Sequence, residues 1–449
     1  MEKFLILGQK ITAVADAKMN SDISKKLWSS FSLNRSQIEF TNGEENTFQI
    51  GNTPLPALCE NEEYAICIDE NGCAISARDF GSLMRGFFAL LFKIDCQTDT
   101  LKIDKQSEKS DYILKKRMIH ICVAPEHDLY YIKKLVRLIA LCQYTHIVIE
   151  FWGMLKFDCL KELSWPFAFS KEEVKELIRE VRDLGMEPIP TLNMFGHATG
   201  SRISSGKHVV LDQNPSLQHL FTPDGWAWDI TSNEVFSLLT NVRSELYDLF
   251  GEGEFFHIGC DEAYYYTQCD ELRSHLPDYL NKLTNAVVNE GRRPMLWMDM
   301  ILERDSLPNN YYAFGIKGES EKIISSLAKE SVMVDWQYYA TTVPYLSSES
   351  LKSTGFDIIV APWFDSKNYN AAIGTVKELD LFAVMLTTWH TIAKDGVNIL
   401  GMAHSLGAKT FYWSRFAEIR AEMATLFRRV SFEGNDYESS GWVKNQFDV

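Results

Sequence analysis

The sequence predicts an α/β chain: a parallel (β/α)8 TIM barrel with a smaller N-terminal α+β domain ahead of it. Three observations predict it. From Arg117 onward, eight apolar, β-rich runs alternate with amphipathic stretches, the pattern of parallel strands joined by crossover helices. The residues that follow these runs are rich in acids and tryptophan, as expected if one end of a barrel carries a site. Ahead of them, residues 1–110 mix short strand patterns with one clear helix. At 449 residues, 46% of them hydrophobic, the chain is long enough for a barrel-sized domain and a second, smaller one.

In the N-terminal part, residues 63–68 and 73–76 read as a hairpin around Asp69-Glu70-Asn71-Gly72, where Asn-Gly suits a tight turn. A helix over 80–94 follows, because Leu83, Phe87, Leu90 and Leu91 recur at helical spacing. Residues 95–111 are polar and rich in Lys and Asp, which sets the expected boundary between domains at 1–110 and 111–449. The eight runs are 118–124, 145–151, 187–193, 255–260, 294–298, 332–336, 357–361 and 381–387. Helical patterns lie between them at 130–141, 171–184, 234–250 and 272–290, with Gly185 where a helix C-terminus favours glycine. A last helix over 416–430 completes the barrel.

Charge narrows the partners. A formal net charge of −16 and a pI near 5.2 argue against nucleic acid and anionic membrane surfaces, and favour a neutral or cationic small molecule. The nine cysteines include no CxxC pair, which fits reduced thiols better than a disulfide framework. The first residues, with an apolar run of only four beside an early acid, make a poor signal peptide. A cytoplasmic location is therefore expected. No apolar run approaches the roughly 20 residues of a membrane span.

The stretch from Phe255 to Ala263 runs a buried-strand pattern straight into two adjacent carboxylates, Asp261 and Glu262. On a regular strand they would point to opposite faces, but at a strand's frayed end both can turn toward one pocket. The other run ends carry Glu150-Phe151-Trp152, residues 193–197, Trp297-Met298-Asp299, Trp336-Gln337-Tyr338-Tyr339, Pro362-Trp363-Phe364-Asp365 and Trp389-His390. A ring of tryptophans around a few acids suits a sugar, because aromatic faces pack its C–H surface while carboxylates fix its hydroxyls.

His257-Ile258-Gly259-Cys260-Asp261-Glu262 resembles the H-x-G-x-D-E signature of glycoside hydrolase family 20, the β-N-acetylhexosaminidases. Gly196-His197 resembles that family's Gly-His after the third strand, and Arg117 resembles its substrate-binding arginine. The resemblance implies an exo-acting, retaining hydrolase of β-linked terminal N-acetylglucosamine or N-acetylgalactosamine, with no cofactor and no metal, in which the substrate's 2-acetamido group is the nucleophile. It implies that Glu262 is the general acid and that Asp261 orients the acetamido group. Arg117 would bind ring hydroxyls, Trp297, Trp336 and Trp389 would wall the sugar, Asp365 would accept from a far hydroxyl, and His197 and Glu150 would pair beneath the acids. Trp363 stands where the family has a tyrosine for the acetamido oxygen, with Tyr338 and Tyr339 as the nearest substitutes. Trp389-His390-Thr391 lacks the family's glutamate for the 4-hydroxyl, so the choice of sugar stays open.

Two other functions fit the same residues: a catalytically silent sugar-binding barrel, and a two-carboxylate glycosidase with Glu262 as acid and Asp299 or Asp365 as nucleophile. Trp152, Trp165, Trp226, Trp228 and Trp413 read as core, and Cys260 as an inert buried thiol. His257, Asp261 and Glu262 lack a distinct third donor for a metal.

Overall fold

The computed structural model describes residues 4–96, 100–110, 114–198, 211, 214–392, 396–408 and 416–432. Eight parallel strands close into a barrel in sequence order. They are Arg117–Val123, His146–Phe151, Glu187–Thr191, Phe255–His257, Arg293–Trp297, Val332–Trp336, Asp357–Ala361 and Ala383–Thr387. The eighth pairs with the first through Val384 and Arg117, which shuts the sheet. Alternation sorts the side chains: Met118, Val148, Ile189, Met295, Val332 and Ile359 fill the barrel, while Ile119, Ile147, Leu296 and Ile358 face the surrounding helices. Each fully buried aliphatic side chain contributes about 1.5–3 kcal/mol.

The helices form where cap and period agree. Lys171–Asp183 starts at a capping box between Ser170 and Glu173 and buries Val174, Leu177, Ile178 and Val181. Gly185 then takes a φ of 78°, and its bare Cα also lets the N-terminal domain approach, since a Cβ there would lie 2.8 Å from the Cβ of Met84. The expected single helix over 272–290 is two, Asp270–Ser274 and Leu276–Asn289. Pro277, in the first turn of the second, has no N–H to donate back into the first, so a new helix starts there.

Ahead of the barrel lies a six-stranded sheet in the order Gln37–Asn42, Lys10–Ala15, Thr47–Gly51, Gly72–Ala77, Tyr64–Asp69 and Gln106–Lys109. The helix Phe80–Leu91, capped by Asp79, is buried along almost its whole length. It packs on the sheet and on the barrel helix Leu129–Leu141.

Between these two parts Glu63 of the sheet domain accepts from two arginines: Arg85 Nε at 2.8 Å, and Arg117 Nη1 and Nη2 at 2.7 and 3.1 Å. Burial opposes the charge on Glu63, yet the two guanidinium groups bring its carboxyl down to about 2. Arg117 is therefore engaged away from the acids, and not at the sugar contact expected of it. It opens the first barrel strand, and six residues of strand, roughly 20 Å, separate it from the mouth where the acids sit. Its guanidinium is spent on Glu63 and on the carbonyls of Gln143 and Leu114. Among the described residues, no helix is long and apolar enough to cross a membrane.

Candidate active site

The fourth barrel strand ends early, at His257, because the chain then leaves the extended region: φ is 69° at Gly259, 84° at Cys260 and 52° at Glu262. Such values are costly for non-glycine residues and persist only where the surroundings enforce them. Asn193, beyond the third strand, supplies the enforcement. Its Oδ1 accepts the Cys260 N–H at 3.0 Å and its Nδ2 donates to Asp261 Oδ1 at 2.5 Å. Gly259 is required beside it, since a Cβ there would lie 2.3 Å from Asn193 Oδ1.

The swerve brings the two acids to one side. His197 Nε2 lies 3.1 Å from Asp261 Oδ2 and 3.1 Å from Glu262 Oε2, so the three side chains converge. His197 itself sits at φ 50°, against Trp226, with ring centroids 4.5 Å apart. Trp226 Nε1 donates to the Glu262 carbonyl at 2.7 Å. Gly196 lets the two loops meet, because a Cβ there would fall 1.9 Å from the Asp261 carbonyl oxygen. Gly196→Ala is expected to push the histidine away from the acids and lower kcat/KM about 100-fold, with a far smaller change in thermal midpoint; steady-state kinetics beside a melting curve check both.

Asp299 is almost fully buried. It accepts the Glu262 N–H through Oδ2 and the Trp336 Nε1–H through Oδ1, both at 2.9 Å. Burial, reinforced by the Asp261 charge, holds its carboxyl well above the usual range. The site thus has three carboxyl groups with different surroundings, the arrangement that separates acid and base roles. His257 is fully buried and held neutral, its basicity pushed down to about 3 by burial. Its Nδ1 accepts from the Gly259 N–H at 3.0 Å, so it is not part of the convergent group.

Aromatic rings wall the mouth. Trp297 and Trp389 lie 5.5 Å apart, and Trp336 and Tyr338 4.9 Å. Tyr338 is buried; its hydroxyl accepts from Trp389 Nε1 at 2.5 Å. Trp363 packs on Tyr338 at 5.1 Å and donates to Thr391 Oγ1 at 3.1 Å.

Several expected site residues are arranged otherwise than the sequence reading has them. Glu150 does not pair with His197; its Oε2 is held by His120 Nε2 at 2.9 Å, because His120 and Glu150 point inward from adjacent strands. Cys122 Sγ lies 3.7 Å from the same oxygen, and these three donors are close enough to one another to hold a metal ion, as are His197, Asp261 and Glu262. Tyr339 is 59% exposed, on the rim, so Tyr338 is the better placed of the two tyrosines. Asp365 is exposed and caps the helix Ser366–Leu379, its Oδ1 accepting from the Lys367 N–H at 2.8 Å.

The sequence reading missed His120, Asn193, Trp152 and Trp226 as site residues. Trp152 stacks on Trp389 at 6.3 Å and 29°, and His120 packs on Trp389 at 4.7 Å. Both stand where strand position and alternation could have flagged them. Trp226 comes from a loop far from any strand end and carries no local signal. Trp413 and the side chain of His390 lie outside the described residues.

Comparison with known proteins agrees with this architecture. Among solved structures, a chitobiase of Flavobacterium johnsoniae superposes with a TM-score of 0.68 at 12% identity, covering 99% of this chain and 72% of that one. A β-N-acetylhexosaminidase of Bacteroides fragilis superposes at 0.66 and 16% identity, covering 100% and 94%. At these identities the likeness is one of fold. Hexosaminidase D of Bos taurus is 27% identical in an alignment that covers 34% of this chain and 46% of that protein, so the match spans under half of the relative. The model of glycosyl hydrolase family 20, catalytic domain, matches residues 156–431, more than half of the chain and all but the first two barrel strands. With the convergent acids on the fourth of eight strands, that match makes this chain a member of glycosyl hydrolase family 20.

Proposed function

We propose that the chain is an exo-acting, retaining β-N-acetylhexosaminidase that uses the substrate's own acetamido group as nucleophile. The observation that carries this reading is the adjacent pair, Asp261 and Glu262, turned to one side and bridged by His197 beside an aromatic wall. In this reading Asp261, braced by Asn193, accepts from the acetamido N–H and stabilises the positive charge that develops there. The acetamido oxygen attacks the anomeric carbon as the glycosidic bond breaks. The leaving oxygen takes the Glu262 proton, and an oxazolinium forms. Water then displaces the acetamido oxygen from the anomeric carbon, reopening the ring to the free acetamido group, and gives its proton to Glu262, which restores the acid and the starting configuration.

Tyr338 is the donor for the acetamido oxygen, and Trp297, Trp336 and Trp389 hold the ring. The His120–Glu150 pair reads ring hydroxyls. The two-carboxylate alternative is disfavoured, because both oxygens of Asp299 are engaged and Asp365 caps a helix. The nine cysteines, present as thiols, fit a reducing compartment such as the cytoplasm.

An aryl β-N-acetylglucosaminide and the matching β-glucoside without the acetamido group separate the readings. Hydrolysis of the first alone, with inhibition by a thiazoline analogue of the intermediate, is the expected result. Equal cleavage of the glucoside would overturn substrate assistance. No turnover of either, with sugar binding retained, would leave a binding protein.

A further inference from the structure

Beside Trp297 and Trp389, a second group of donors converges, distinct from the acid pair. His120 and Cys122 stand two residues apart on the strand Arg117–Val123 and share one face of it. Both are buried, and Cys122 belongs to the barrel interior. Glu150, on His146–Phe151, is paired with Cys122 across the ladder and turns the same way. His120 Nε2 lies 2.9 Å from Glu150 Oε2. Cys122 Sγ lies 3.7 Å from that oxygen and 3.9 Å from Nε2.

Those separations match the edges of a coordination sphere. A tetrahedral zinc ion, with bonds of about 2.3 Å to sulfur and about 2.0 Å to nitrogen and oxygen, sets its ligands about 3.3–3.6 Å apart. Each separation here is within a few tenths of an ångström of that range, a difference that side-chain torsions absorb. The His120 ring is already fixed edge-on against Trp389 at 4.7 Å and Trp297 at 5.8 Å. A hydrogen bond between His120 and Glu150 needs no third partner, yet the Cys122 thiol stands against both. Thiolate, imidazole and carboxylate together make a borderline-soft set, which selects zinc over the hard ions magnesium and calcium.

We propose that His120, Cys122 and Glu150 form a zinc site in the wall of the sugar pocket, and that zinc bound there excludes the sugar and blocks turnover. The second half rests on the hydrolase reading above, in which the His120–Glu150 pair meets ring hydroxyls; the first half does not. On binding, the Cys122 thiol gives its proton to solvent. The ion replaces the hydrogen between Nε2 and Oε2 and leaves the imidazole hydrogen on Nδ1. Water takes the fourth corner. Nδ1 is buried with no hydrogen-bond partner among the described residues, so its N–H lacks the support that a resident zinc histidine has. The ion is therefore a reversible inhibitor and not a cofactor.

Cobalt(II) tests the site by its colour. The full chain, reduced and freed of metal, is expected to bind a cobalt ion with the near-ultraviolet band of a cobalt–thiolate bond and the visible bands of four-coordinate geometry, and zinc should bleach both. In Cys122→Ser the thiolate band should vanish, and in Glu150→Gln it should need at least about ten-fold more cobalt. The other cluster, His197 with Asp261 and Glu262, offers no sulfur, so an ion held there gives no such band. Absence of the band in the unaltered chain, or its survival in Cys122→Ser, overturns the site. In turnover, zinc is expected to raise KM for an aryl β-N-acetylglucosaminide and leave kcat unchanged. Cys122→Ser, measured against its own metal-free rate, should need at least about ten-fold more zinc for the same effect. A fall in kcat alone, or equal inhibition of both proteins, overturns the exclusion of sugar by this ion. If the metal-free chain turns over no hexosaminide, the hydrolase reading fails, while the cobalt spectrum still decides the site.

Discussion

Glu262→Gln is expected to lower kcat about 10²–10⁴-fold on an N-acetylglucosaminide with a poor leaving group. The amide keeps the shape of the side chain and a partner for His197 Nε2, now 3.1 Å from the carboxylate, but it has no proton to give. The same substitution removes the base that activates water in the second step. Leaving-group dependence is the diagnostic. A fluoride or dinitrophenolate departs without protonation, so the loss on such substrates should shrink by an order of magnitude or more. A uniform loss across leaving groups would mean that Glu262 positions something and does not act as the acid. The Glu262 N–H is held by Asp299, so the variant should fold normally, and an unchanged melting curve is the control.

Glu63→Gln is the largest effect expected on stability, about 3–5 kcal/mol, because it leaves two buried arginines short of their counter-charge. The pH dependence gives the test a sign. Glu63 has its carboxyl lowered from 4.5 to about 2 in the folded chain. Its contribution is therefore fully present above about 4.5 and is lost as pH falls from 4.5 through 2, a change of about 3 kcal/mol. Denaturant midpoints measured across that window should drop for the unaltered chain. For Glu63→Gln they should be lower at neutral pH and lack that share of the acid limb. Parallel curves for the two proteins would show that the Arg85–Glu63–Arg117 cluster carries no net charge stabilisation. Activity at neutral pH should be nearly unchanged, since the cluster lies at the far end of the barrel from the acids.

That last point marks where the sequence misleads. Arg117 beside an apolar run resembles a family's substrate arginine, yet a residue that opens a parallel barrel strand faces the end opposite the site. Its partner, Glu63, lies 54 residues away in another sheet, which no local pattern reveals. Glu150 fails in a milder way. Its place at the end of the second strand is legible, but its partner depends on register: Glu150 faces Cys122 across the ladder, and that puts it within reach of His120, not of His197. The same logic hid His120 and Cys122, which share the inward face of the first strand at a spacing of two.

By itself, the sequence determined the eight strands, their order and the end of the barrel at which chemistry gathers, because period, glycine placement and apolar runs act over short distances. It also singled out Asp261 and Glu262, two adjacent carboxylates that follow a buried strand. Only the tertiary structure decided how that pair is aimed. Positive φ at Cys260 is enforced by Asn193 from just beyond the third strand, and the close approach of Gly196 to Asp261 lets His197 bridge both acids. These are contacts between residues more than 60 positions apart, and their geometry follows from barrel closure, not from any local preference of the chain.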